Sequence, residues 1–115
     1  LQIGTRAKGV RSVRATLTAL GERLQEGDAT DLAGALPMEI DFYVLNSEHG
    51  QSFGFDEFVD RVMEIDNVDR PDAVYRAKVV MKVVGEAVPQ GEIEDIMQGL
   101  PSEFDQLFEL VEIED

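Results

Sequence analysis

Residues 10–24 read VRSVRATLTALGERL, and residues 74–88 read VYRAKVVMKVVGEAV. In the first stretch Val10, Val13, Leu17, Leu20 and Leu24 recur at alternating spacings of three and four, which gathers them into one apolar stripe of an α-helix. In the second, Val74, Ala77, Met81, Val84 and Val88 repeat that spacing 64 positions later. Both stretches carry Gly-Glu at the same point, Gly21-Glu22 and Gly85-Glu86. Agreement of identities and of apolar phase points to an internal duplication.

The register holds without a gap from Gly9–Val44 to Ala73–Phe108. Gly27 meets Gly91, Asp31 meets Asp95, Leu36-Pro37 meets Leu100-Pro101, Glu39 meets Glu103, and Asp41 meets Asp105. Each copy reads as three helices. Asp69 can cap the long helix of the second copy, with Pro71 tolerated in its first turn. Gly27 and Gly91 are expected in the break that follows. Short helices over 28–35 and 90–99 come next and stop at Leu-Pro, because a residue before proline avoids helical geometry. Pro37 and Pro101 open the third helices, whose apolar sides are Ile40, Tyr43 and Val44, and Phe104, Leu107 and Phe108. A polar, glycine-punctuated loop over 46–54 separates the copies. After it, Phe55, Phe58, Val59, Val62 and Ile65 form a further helical stripe over 55–65, ahead of the second copy. No sustained alternation suggests a strand. The expectation is a single all-α domain over 1–115, two tandem helical repeats packed into one body of six or seven helices.

Composition narrows the chemistry. The 115 residues include no Cys and a single His, His49, which excludes disulfides, thiol catalysis and cysteine-ligated metals. No apolar run is long enough for a membrane span, and the start has no signal pattern, so a cytoplasmic location is expected. Asp and Glu number 24 against 10 Lys and Arg, a net charge of −14, and only Lys8, Lys78 and Lys82 are lysines. An acidic, lysine-poor globular sequence suits a salt-saturated cytoplasm, where a Debye length of about 3 Å at 1 M screens self-repulsion. The acidity then reports the solvent and not a basic partner. Nucleic acid is an unfavourable partner for so negative a chain.

The repeated carboxylates Asp31/Asp95, Glu39/Glu103 and Asp41/Asp105 could in principle ligate a hard cation or act as an acid–base pair. They lack Glu-x-x-His and EF-hand spacing and read better as helix-start acids on solvated faces. The rare bases are more distinctive. Arg6 matches Arg70 and Arg14 matches Lys78 across the 64-residue shift, which makes Arg6, Arg14, Arg70 and Lys78 the candidate anion or partner strip; pairing with neighbouring acids is the simpler reading. His49 lies near Ser47 and Ser52, without the elbow motif of a hydrolase, and reads as a loop histidine. Phe53 and Phe55 around Gly54 read as core anchors. No catalytic residue, cofactor or metal site is assigned.

Phe55-Asp56-Glu57-Phe58-Val59-Asp60-Arg61-Val62, Gly91-Glu92-Ile93-Glu94-Asp95-Ile96 and Leu100-Pro101-Ser102-Glu103-Phe104, with Leu32–Pro37 and the Tyr43 region in the first half, resemble the bacterial and archaeal family known as domain of unknown function 2267. The resemblance implies an all-helical domain and no established activity; a halophilic archaeal source would suit the charge. The reading preferred is a non-enzymatic interaction or scaffolding module, since stacked helical units present extended surfaces. Its rival is a small anion binder or enzyme using the repeated acids or the basic strip. The partner of helix 55–65 in the first copy would precede Leu1, so either an upstream segment or a second subunit is expected to cover the first copy, the latter giving a homodimer.

Overall fold

A computed structural model describes the backbone over residues 3–111 and the side chains over 9–111. The chain forms six α-helices and a closing 3-10 helix: α1 (Ile3–Arg23), α2 (Glu26–Ala35), α3 (Met38–Leu45), α4 (Phe55–Asp66), α5 (Arg70–Ala87), α6 (Gln90–Gln98) and η1 (Ser102–Phe108). No strand occurs among the described residues, and no described helix is long and apolar enough to cross a membrane.

The helix ends follow local chemistry. Asp69 Oδ1 accepts from the Asp72 N–H at 3.3 Å, with Pro71 in the first turn of α5. Asn67 takes the left-handed conformation at φ 59° and ends α4 with its N–H on the Met63 carbonyl. The breaks after α1 and α5 differ from the expectation. They fall at Gln25 (ψ 156°) and Pro89 (ψ 145°), both extended, and not at the glycines. Gly27 and Gly91 therefore lie in the first turns of α2 and α6, and α2 begins at Glu26, two residues early. The last element also differs, winding as a 3-10 helix where a third α-helix is expected. Three residues per turn stack Phe104 over Leu107, and both are fully buried.

The core is the expected stripes brought together. Leu17 and Leu20 of α1 and Met81 and Val84 of α5 are buried, as are Leu24 and Val88 just past the ends of those helices, with Leu36, Leu100 and Phe104. Val10 is the exception: it belongs to the stripe by spacing but is 55% exposed. Elements meet in matched pairs. α1 packs on α3 and α5 on η1; α2 packs on α3 and α6 on η1; α1 meets α5 and α2 meets α6. α4 lies against both long helices, α1 as well as α5. The surface of α1 that sequence leaves without a covering helix is thus partly covered by the helix expected to serve the second copy alone.

The loop over 46–54 is laced to the C-terminal end of α1. The carbonyls of a last helical turn lack intrahelical partners. Here Gly50 N–H bonds the Leu24 carbonyl at 2.8 Å, Gln51 N–H bonds that of Glu22 at 2.9 Å, and His49 Nδ1 lies 2.8 Å from that of Gly21. A carbonyl only accepts, so His49 donates from Nδ1. Arg23 Nε in turn donates to the Phe53 carbonyl at 2.8 Å.

Candidate functional site

The packing of α1, α3 and α5 leaves a groove of about 440 Å³. α5 contributes Tyr75, Arg76, Val79, Val80, Val83, Val84 and Ala87; Gly9, Ser12 and Val13 of α1, Ile40 of α3 and Pro37 just before α3 complete it. The local cause is a run of aliphatic residues on α5. An 18-residue helix with Val79, Val80, Val83 and Val84 in sequence has more apolar surface than one core can take. Val80 and Val84 point inward and are buried, while Val83 and Tyr75 remain 57% and 65% exposed.

One polar cluster adjoins the groove. Ser12 and Arg76 line it, and both reach Asp66 at the end of α4. Asp66 is buried; its Oδ2 accepts from Ser12 Oγ at 2.7 Å and lies 3.5 Å from Arg76 Nη1. A buried carboxylate without such partners would be strongly unfavourable. The satisfaction is incomplete: Asp66 Oδ1, Arg76 Nη1 and the hydroxyl of nearby Thr16 are buried without a hydrogen bond. Of these three groups only Arg76 lines the groove, where its guanidinium sets a charge beside an otherwise apolar surface.

The described candidate bases, Arg14, Arg70 and Lys78, each face a different neighbour. Arg70 pairs with Asp60 and lies 3.9 Å from Asp56, both on α4. Lys78 pairs with Glu109 at 3.1 Å, beyond η1. Arg14 is exposed beside α3, in a shallow depression with Thr18, Phe42 and Tyr43. The side chain of Arg6 lies outside the described residues. Arg61, to which the sequence assigned no role, is the most connected base among the described residues: it pairs with Glu22 and Glu57, donates to Gln51 Oε1 at 3.0 Å and stacks 3.9 Å above the Phe53 ring.

Of the repeated carboxylates, Asp31 and Asp95 come near one another where α2 meets α6, together with Asp28 and Glu92. Burial raises the pKa of Glu92, and the charges of Asp31, Asp95 and Asp28 raise it further. No group of three or more potential metal ligands converges among the described residues. Ser47, the candidate partner of His49, donates to the carbonyls of Thr18 and Tyr43 at 3.1 and 2.7 Å, so its hydroxyl serves the backbone.

Sequence reasoning missed Asp66, Ser12 and the groove. The one available signal was the surplus of valine on α5, which exceeds a single helical stripe. No curated protein matches the chain. The model of the uncharacterized conserved proteins designated DUF2267 matches residues 1–107, over an all-helical fold, and the chain belongs to that family.

Proposed function

We propose that this domain is a non-enzymatic docking module and that the groove between α1 and α5 is its working face. One observation carries the reading: three successive turns of α5 present Tyr75, Val79 and Val83 at an open groove, with Tyr75 and Val83 exposed, and clustered exposed apolar side chains commonly mark an interaction site. The duplicated unit belongs to the same proposal. α2 and α6 start 64 positions apart, at Glu26 and Gln90, and the cap residues before them share one extended conformation. α3 and η1 also start 64 apart, at Met38 and Ser102. Two stacked copies of one helical unit generate such grooves at their junction. The acidic surface supports service in a salt-rich cytoplasm.

The test is site-directed photo-cross-linking in the native cell. A photoreactive residue replaces exposed Val83, with the same replacement at exposed Glu94 on α6 as the reference. A discrete protein adduct from Val83, absent from Glu94 and abolished by Tyr75→Glu, is the expected result. Equal labelling from both positions removes the groove as the working face.

A further inference from the structure

The groove repeats the seat of α4. α4 sits on the stripe of α1 that begins at Ser12, which donates to Asp66, and ends at Glu22 and Arg23, which reach Arg61 and Phe53. Between them, Ala15, Thr16, Ala19 and Leu20 are fully buried. Shift that stripe by 64 and it becomes Arg76, Val79, Val80, Val83, Val84, Glu86 and Ala87, of which all but Glu86 line the groove. The flank corresponds too. Phe104 of η1 meets the rings of Phe55 and Phe58 of α4 at 5.6 and 5.7 Å, and its counterpart 64 positions earlier, Ile40, lines the groove. Ala19 is fully covered, whereas its counterpart Val83 is 57% exposed. One of two equivalent seats is filled by α4.

We propose that the groove receives an amphipathic helix of a protein partner built to α4's own pattern: an aromatic residue, apolar residues three, four and seven positions on, and a carboxylate at eleven. In α4 these are Phe55, Phe58, Val59, Val62 and Asp66, all buried. Charge complementarity selects the last position. Asp66 is held by Ser12 and Arg76, and those same two side chains line the groove. Arg76 lines the groove with its side chain a quarter exposed, and its five-donor guanidinium has more donors than the single pairing with Asp66 takes up, so it can meet a second carboxylate entering there. This inference rests on the docking reading and on the 64-residue correspondence. Helix-in-groove recognition through anchors at such spacing is a general mode of peptide binding.

The test uses the intact chain and a labelled peptide with the sequence of residues 53–68, titrated by fluorescence anisotropy in about 2 M KCl, which screens repulsion between two acidic molecules. A second peptide carries Val59→Ala and Val62→Ala, because the groove has valines where α4's seat has alanines. Saturable one-to-one binding by at least one peptide is expected. Phe58→Ala or Asp66→Lys in the peptide, and Val83→Glu in the chain, should each weaken it about tenfold or more. Val83 is exposed, so this variant should keep the parent melting curve, and the peptide variants leave the chain untouched. Absence of saturation with both peptides overturns the inference. So does binding indifferent to Val83→Glu, which would mean exchange with the chain's own α4. A dimer broken by Val83→Glu but not by peptide would assign the groove to a second copy instead. If the peptides fail while Val83 still cross-links to a protein, the α4-like partner falls and the docking reading stands; if both fail, both fall.

Discussion

Gly21 shows how one residue records a fold. It sits inside α1, where alanine would ordinarily be better by about 0.5–1 kcal/mol. A Cβ built there meets Ser47 Oγ at 2.7 Å and the Val44 carbonyl oxygen at 3.0 Å, because the chain leaving α3 crosses the helix at this point. Gly85 is in the same position against Val111 Cγ1 at 2.8 Å. Ser47 and Val111 are again 64 positions apart. Gly21→Ala should therefore lower stability by about 1–3 kcal/mol, the range for overpacking against an atom that cannot move freely. Gly9→Ala, with nothing within 4 Å, should raise it by about 0.5–1 kcal/mol. Urea unfolding of the two variants reads both signs, and a stabilised Gly21→Ala would show that no crossing chain opposes it. The recurrence of Gly-Glu was legible in sequence; its cause was not, since the crossing segment lies 26 residues downstream. Asp66 was less legible still. An acid at the end of an amphipathic helix reads as surface, and its partner Ser12 is 54 positions away.

At the scale of elements, periodicity located α1, α4 and α5, whose apolar faces must be buried, and the glycine and Leu-Pro breaks marked the short helices between and after them. What periodicity could not supply is how the loop over 46–54 and α4 are tied to α1. Those ties run through backbone carbonyls, Arg23, Arg61 and the bond from Ser12 to Asp66, and none of them leaves a pattern. Arg61 joins three elements: α4 through Glu57, α1 through Glu22, and the loop through Gln51 and Phe53. Burial by itself lowers a guanidinium's pKa. Hydrogen bonds to Glu57 and Glu22 and their charges outweigh it and raise the value, so Arg61 stays charged at any working pH. Its ion pairs are a quarter exposed or more, which holds each to about 0.2–1 kcal/mol, with about 0.5–1 kcal/mol for the ring contact. Arg61→Ala should thus cost about 1–2 kcal/mol. Limited proteolysis should find the loop over 46–54 cut faster in this variant, while cleavage elsewhere is unchanged. Arg61→Lys keeps the charge but not the planar fork, so it should restore only part of the protection.

Over the whole molecule the governing quantity is a net charge of −14 on 115 residues. The fold gives this charge a place where it is felt most, the junction of α2 and α6, where Asp28, Asp31 and Asp95 act on Glu92. A carboxylate whose folded pKa is raised above its ordinary value of 4.5 contributes stability that is present below that value and is lost as pH rises through the folded pKa. At low salt, acidification from pH 7 toward pH 5 should therefore raise the melting temperature, and Glu92→Gln should raise it at pH 7 and reduce that pH response. Salt acts on the same repulsion everywhere at once. The Debye length falls from about 10 Å at 0.1 M to about 3 Å at 1 M, so charges on neighbouring helices stop interacting while pairs in contact, such as Lys78 with Glu109, persist. Expansion of the chain also relieves repulsion, so dilution favours unfolding. The melting temperature should rise steeply between about 0.1 and 2 M KCl, with a loosened state at the bottom of that range. Chloride should suffice, since screening and not only salting-out is at work. A melting temperature indifferent to KCl would remove the salt-rich cytoplasm from the account. The acidity would then call for a basic partner, and the uncompensated face where α2 meets α6 would be the place to look for it.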